Sequence, residues 1–303
     1  MPGCANRLHM ESRRVTFTHD AEIPFTKMTG SGNDFVVIDH RAPLFDPGEV
    51  AAFARAVCRR GIEIGADGVV LIEDAGEDDV DFRWRYINAD GTDGEMCGNG
   101  AMCGARYAVL HGIAKSPTRF LTPDGDVTAE VADPHRPKVR IRVSAPGPIR
   151  REVVEIEGRE LDFRALKMGV PHAVAIVDDA DAFADAGIFA RIGRAVREHD
   201  AFAPAGTNVN IIHRIDERTI RMRTYERGVE AETLACGTGA VASAVVAVAE
   251  GLVDGPPVTV ITSSGRPLEV RWEVEGERVT DVWLGGEGRI VATGHLHPEG
   301  WRA

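Results

Sequence analysis

Apolar positions along the chain fall into two patterns. Short Val- and Ile-rich runs, bounded by Gly, Pro and Asp, recur throughout: "DFVVID" (34–39), "GVVLIE" (68–73), "FRWRYINADG" (82–91), "KVRIRV" (138–143), "AVAIVDD" (173–179), "NVNIIHRID" (208–216), "IRMRTYERG" (220–228), "VTVITSSG" (258–265) and "VWLGGEGRIVAT" (282–293). β-branched runs between turn formers predict strands joined by tight turns. Helical periodicity is sparser, over roughly 47–60, 99–111, 188–199 and 238–250. Neighbouring strand runs with short connections predict mostly antiparallel pairing and an α+β class. The acidic run "EDAGEDDVD" (73–81) is expected as a solvated hairpin tip, and "RPKVRIRV" (136–143) as a half-exposed strand.

The pattern also repeats. "DGEMCGNGAMCGARYAVLHG" (93–112) and "ETLACGTGAVASAVVAVAEG" (232–251) share C-G-[N/T]-G-A, and each ends in a glycine fifteen positions after its cysteine. A strand ending in "NADG" leads to Cys97 and one ending in "YERG" leads to Cys236. "GSGNDFVVID" (30–39) is echoed by "GTNVNIIHRID" (206–216), with Asn33 and Asn208 at the strand starts. A duplication is therefore expected, each half wrapping strands around one apolar helix, with a boundary near 143. The last strand, around 283–293, is expected to return to the first half.

Asn99 and Thr238 are good N-cap residues, and Gly112 and Gly251 are natural terminators. Each cysteine would then lie two residues ahead of its cap, before unpaired N–H groups and the positive end of a helix dipole. That setting is expected to lower a thiol's pKa and to bind a carboxylate. Two thiols flanking one anion site suit stereoinversion at a carbon next to a carboxylate. One thiolate takes the α-proton and the opposite thiol returns a proton to the other face. Cys103, Cys58 and Cys4 are expected to be structural.

Composition narrows the choice. The chain has 303 residues and a net charge of −12, which disfavours nucleic acid as a partner. No apolar run reaches the eighteen or more residues a membrane span needs, and "AVASAVVAVA" is read as a buried core helix. The first two dozen residues lack an apolar signal core and are expected to form a loose extension. Five cysteines without a C-x-x-C pair argue against a disulfide scaffold or a zinc site, and for a reducing cytoplasm.

Taken together, "KMTGSGNDFVVID", "GADGVVLI", "NADGTDGEMCGNG", "GVPHAV", "GTNVNII", "YERGVEAETLACGTGAVA" and "LGGEGRIV" resemble the diaminopimelate epimerase family, over about 25–293. The resemblance implies a pyridoxal-phosphate-independent isomerase of lysine and peptidoglycan precursor biosynthesis, interconverting LL- and meso-2,6-diaminopimelate without a cofactor or metal. It implies two pseudo-symmetric domains, each a strand-rich, barrel-like sheet around a central helix, closing over the substrate. After an extension at 1–24, the first half spans 25–142, completed by 283–303, and the second spans 143–282. A homodimer is left open.

By the same resemblance, Cys97 and Cys236 are the acid/base thiols, and Gly98, Asn99, Gly237 and Thr238 hold the reacting centre's carboxylate. Asn33, Asn88 and Asn208 bind polar ends of the substrate, and Arg227 pairs with the distal carboxylate. Glu226 and His172 contact the ammonium or tune the thiols. Two positions depart from the family pattern: Val170 stands where many members have asparagine, and Gly68 where some carry a substrate-contacting glutamine. These leave open a racemase or epimerase of the same fold acting on another amino acid. A hydrolase or transferase using one cysteine and His172 would leave the second C-G-x-G turn unexplained. A non-catalytic amino-acid-binding protein would leave both thiols unused.

Overall fold

The computed structural model describes residues 22–76, 79–178, 185–276 and 278–302. Cys4 and nearly all of the expected N-terminal extension lie outside them. The first part of the chain forms β1 (Ile23–Gly30), β2 (Asn33–Asp39), α1 (Val50–Val57), β3 (Gly68–Glu73), β4 (Phe82–Asn88), α2 (Gly98–Leu110), β5 (Thr118–Thr122), β6 (Gly125–Glu130) and β7 (Lys138–Val143). The second forms β8 (Arg150–Ile156), β9 (Arg159–Met168), β10 (Val170–Ile176), α3 (Ala186–Arg197), β11 (Asn208–Asp216), β12 (Thr219–Glu226), β13 (Ala231–Thr233), α4 (Gly237–Ala249), β14 (Val258–Ile261), β15 (Pro267–Glu275), β16 (Arg278–Glu287) and β17 (Arg289–Leu296).

The seventeen strands among the described residues belong to one continuous mixed sheet. Its parallel pairs fall where a helix crosses over: β2 with β3 through α1, β4 with β5 through α2, β10 with β11 through α3, and β12 with β14 through α4. Parallel neighbours require such a crossover, whereas hairpins suffice for the antiparallel pairs. The run 73–81 joins the antiparallel β3 and β4, as a hairpin tip should, with residues 77 and 78 outside the described set. β7 pairs with β16 and so links the two parts, and β17 returns to pair with β1.

Each of α2 and α4 is wrapped by strands and packed into one apolar cluster that runs from Phe35, Trp84 and Ala101 to Met222, Ala240 and Leu268. Both helices end alike. Gly112 and Gly251 have φ of +69° and +68°, a conformation costly for any residue with a Cβ. Ile113 N–H reaches Ala108 O at 2.8 Å and Leu252 N–H reaches Ala247 O at 2.8 Å, so both ends are Schellman motifs. Cys103 and Cys58 are buried in apolar surroundings, and burial pushes the Cys58 thiol up to about 11.

The topology repeats with a different offset from the one suggested by the local echo. β1–β2–α1–β3–β4–α2–β5–β6–β7 matches β9–β10–α3–β11–β12–α4–β14–β15–β16 element for element, with β17 and β8 as matching outer neighbours. The counterpart of "NDFVVID" is therefore the "VPHAVAI" strand, and "NVNIIHRID" answers "GVVLIE". Register then sets residue equivalences. Phe35 faces Gly68 and His172 faces Asn208, so Phe35 matches His172 and Gly68 matches Asn208. Val70 faces Tyr86 and Asn210 faces Thr224, so those pairs match in turn. The similarity of "GSGN" (30–33) and "GTN" (206–208) reflects two strand starts with similar turn chemistry.

Candidate active site

The two cysteine turns converge on one cleft of about 860 Å³, lined by Cys97, Gly98 and Asn99 from one side and Cys236, Gly237 and Thr238 from the other. The cysteines are themselves the N-caps, each one residue before the first helical glycine, which corrects the expectation of caps at Asn99 and Thr238. Their backbones are nearly superimposable: φ and ψ are −109° and 112° at Cys97, −126° and 112° at Cys236. Cys97 O accepts from Ala101 N–H at 2.8 Å and Cys236 O accepts from Ala240 N–H at 2.9 Å. An extended cap followed by glycine lets the chain enter the helix with its first amides turned to the cleft.

Thiol acidity runs opposite to the sequence expectation. Burial pushes the Cys97 thiol up; the amides of Gly100 and Asn99 favour the thiolate but do not overcome it. Cys236 is pushed up to about 12, again chiefly by burial, although the Thr238 hydroxyl and the Gly239 amide oppose the shift. Glu226 adds to both, because its carboxylate repels a second negative charge. The carboxyl of Glu226 is itself raised by burial. Desolvation by burial thus outweighs the helix termini.

Asn33, Asn88 and Glu226 also line the cleft. Asn33 is held at both ends: its Oδ1 accepts from Asn99 Nδ2 at 2.8 Å and its Nδ2 donates to Asp67 Oδ2 at 3.0 Å. Asn99 Oδ1 is buried without a hydrogen-bond partner. Asn88 donates to Thr92 Oγ1 at 3.0 Å. Asn208 and Arg227 are not among the residues that line the cleft. Asn208 Nδ2 donates to Pro171 O at 3.2 Å and its Oδ1 accepts from Arg227 N–H at 2.8 Å. The Arg227 guanidinium donates to Ala205 O at 3.0 Å. His172 is fully buried beneath the second mouth, bonded to Thr238 Oγ1 at 3.0 Å. Val170, half-buried at the start of β10, lies opposite Met168.

Gly68 is explained by a residue that the sequence reasoning missed. A Cβ at Gly68 would lie 2.3 Å from Tyr86 Cε2 and 2.4 Å from Ile87 O, and one at Gly94 would lie 2.3 Å from Tyr86 Cδ1. Tyr86 is thus clasped between two glycines and lines the cleft where a side chain at 68 would start, its hydroxyl donating to Asp67 O at 3.2 Å. Strand alternation was the available signal, since Tyr86 lies two before Asn88 and shares its face. The same period links Asn210 to Asn208. Asp34, Arg60 and Asp67 were also missed: they form an ion-paired rim, with Asp34 held below the usual carboxylate range by Arg60 and Lys27 against desolvation.

This architecture is shared with several solved structures. A Bacillus anthracis phenazine biosynthesis protein of the PhzF family superposes with a TM-score of 0.68 at 15% identity, covering 91% of this chain and 99% of that one. A probable proline racemase from Agrobacterium radiobacter K84 gives 0.64 at 17% identity, covering 90% and 92%. The chain therefore has the duplicated α+β fold of the PhzF and proline racemase structures. A family model described as diaminopimelate epimerase matches residues 25–146 and 164–287. The diaminopimelate epimerase of Aquifex aeolicus is 41% identical, covering 91% of this chain and 98% of the relative, and that of Archaeoglobus fulgidus is 40% identical, covering 88% and 94%. The chain belongs to the diaminopimelate epimerase family.

Proposed function

We infer that the protein is an isomerase that interconverts LL- and meso-2,6-diaminopimelate in lysine biosynthesis by two-base transfer of the α-proton. The observation that carries this reading is the pair of thiols at matching N-cap positions lining one cleft in a chain of this family. Cys97 and Cys236 take and return the proton on opposite faces of the reacting carbon. The first-turn amides at Gly98, Asn99, Gly237 and Thr238 hold its carboxylate, into which the carbanion's charge spreads. Asn33 and Asn88 bind polar ends of the substrate from the first half. Asn208 steadies Arg227, which exchanges Ala205 O for the distal carboxylate, a ligand suited to its planar fork.

Substrate binding shifts the thiols towards the thiolate. A substrate ammonium beside Glu226 offsets that carboxylate's repulsion, the lesser cause beside burial, and so favours the thiolate at both cysteines. His172 acts from beneath Thr238, and Tyr86 occupies the place of the family's glutamine at Gly68. Val170, equivalent to Asn33 across the repeat, leaves amine recognition on its side to other groups. The four described cysteines are free, and chemistry that needs two thiols fits a reducing cytoplasm. Among the described residues no helix is long and apolar enough to cross a membrane. We assign residues 25–142 with the C-terminal return strand to one domain and 143–282 to the other, the second running on to Glu287 because β16 (Arg278–Glu287) pairs with β15 and answers β7 in the repeat.

The test is proton NMR of LL-2,6-diaminopimelate incubated with reduced enzyme. The meso form should appear with the parent protein, and Cys97→Ser and Cys236→Ser should each slow it by about 10²–10⁴-fold. Near-full turnover in Cys236→Ser would point instead to single-cysteine chemistry.

A further inference from the structure

We propose that Asn210 is a positioning residue for the Cys236 thiol, acting through a one-way hydrogen-bond relay Thr224–Asn210–His172–Thr238–Cys236. The proposal rests on the reading of Cys236 as an acid/base thiol. Every link is in place. Thr224 Oγ1 donates to Asn210 Oδ1 at 2.9 Å, and Asn210 Nδ2 meets His172 Nδ1 at 3.1 Å. His172 Nε2 meets Thr238 Oγ1 at 3.0 Å, and Thr238 Oγ1 lies 3.5 Å from Cys236 Sγ.

The direction of the relay follows from donor and acceptor counts. Asn210 Nδ2 also faces Ala173 O at 3.4 Å, and a carbonyl can only accept, so the nitrogen end of the amide points to His172. His172 Nδ1 must then accept, which leaves the ring proton on Nε2 and makes it the donor to Thr238. Thr238 is left with its own hydroxyl proton, and the neighbouring acceptor is Cys236 Sγ. Gly239 N–H adds a second donor to the same sulfur at 3.4 Å. Burial, with Arg227 nearby, pulls His172 down to about 3, so the imidazole is neutral and has one proton to place. Asn210 and His172 are both fully buried, so water does not compete for these bonds. A Cβ at residue 239 would come within 2.6 Å of Asn210 Oδ1, and glycine there gives the amide its room below the helix mouth.

The relay belongs to one thiol alone. Across the repeat, Val70 stands for Asn210, Phe35 for His172 and Asn99 for Thr238. Apolar Phe35 and Val70 thus stand where the relay would run on the Cys97 side, and Asn99 donates to Asn33 instead.

The test begins with nitrogen-15 NMR of the parent enzyme, which should show His172 neutral and protonated on Nε2. The rate of iodoacetamide alkylation at each cysteine, read by mass spectrometry, then reports the thiolate. Thr238→Val should slow alkylation of Cys236 by about ten-fold, as expected for losing one donor to a charged acceptor, while Cys97 changes less than about two-fold. Asn210→Leu should lower the Nε2–H population and slow Cys236 in the same sense. Thr238→Val keeps the test available if Asn210→Leu does not fold. A parent His172 protonated on Nδ1, or unchanged Cys236 alkylation in Thr238→Val, would overturn the relay. Neither readout requires turnover, so failure of the epimerase reading would show separately, as an active Cys236→Ser enzyme.

Discussion

The two helix mouths have one backbone and two different floors. Under α2 the strands present Phe35, Val70, Tyr86 and Trp84; at the matching places under α4 they present His172, Asn210, Thr224 and Met222. Trp84 packs on the glycine face of α2, where a Cβ at Gly104 would lie 2.7 Å from its ring, and Ser243 at the matching place on α4 donates to Met222 Sδ at 3.2 Å. Backbone geometry that must serve both faces of one carbon has been held equal. The side chains behind it have diverged, so each thiol reaches its reactive state with different support. Pseudo-symmetry in the main chain therefore does not imply interchangeable acid and base.

Acidity gives the largest effect by which this comparison can be broken. Burial raises both thiols, so the thiolate fraction of free enzyme grows as pH rises. We expect kcat/KM to climb about ten-fold per pH unit between pH 6 and 8. A flat profile across that range would mean that the helix termini dominate after all.

The glycine clasp comes next. Gly68→Ala forces a Cβ into Tyr86 and the Ile87 carbonyl, and should destabilise the protein by about 1–3 kcal/mol, seen as a lower Tm. An unchanged Tm would show that Tyr86 is not held as described, whereas the matching Asn208 already carries a side chain.

Glu226→Gln separates charge from shape. Burial raises the Glu226 carboxyl, so the folded protein binds that proton more tightly than the unfolded chain does. The resulting stability is fully present below the unfolded carboxylate's pKa and is lost as pH rises through the folded value. Glutamine avoids the desolvated charge. The variant should therefore exceed the parent in Tm at pH 8, with the gap closing near pH 4. A gap that widens on acidification would reverse the assigned sign. The smallest effect is expected at Ser243→Ala, where loss of a weak bond to sulfur should cost less than about 1 kcal/mol in chemical denaturation. A larger loss would make the α4 floor as tightly built as the α2 floor.

Much of this was legible in the chain. The strands with continuous Val and Ile, such as β2, β3 and β11, are buried along most of their length and announce themselves. β8, β9 and β15 passed unread because their exposed faces alternate Arg and Glu with the apolar face, which masks a half-buried strand. The cysteine turns and their terminating glycines were plain. The cap position was not, because Asn99 and Thr238 have better capping side chains than cysteine and the preference is only statistical. Thiol acidity was misjudged because a local motif shows the dipole but not the depth of the cavity. Tyr86 and Asn210 depend on which strand lies beside which, and that pairing is tertiary.

The most direct test of opposed thiols is the fate of label at low conversion. LL-2,6-diaminopimelate is incubated with reduced enzyme in D₂O, and both isomers are recovered before equilibrium and their α-deuterium content measured. Two bases on opposite faces predict deuterium in nearly every meso molecule and almost none in recovered LL substrate. Deuterium entering recovered substrate as fast as product would mean one group exchanges the proton on one face, and the two-thiol account would be wrong.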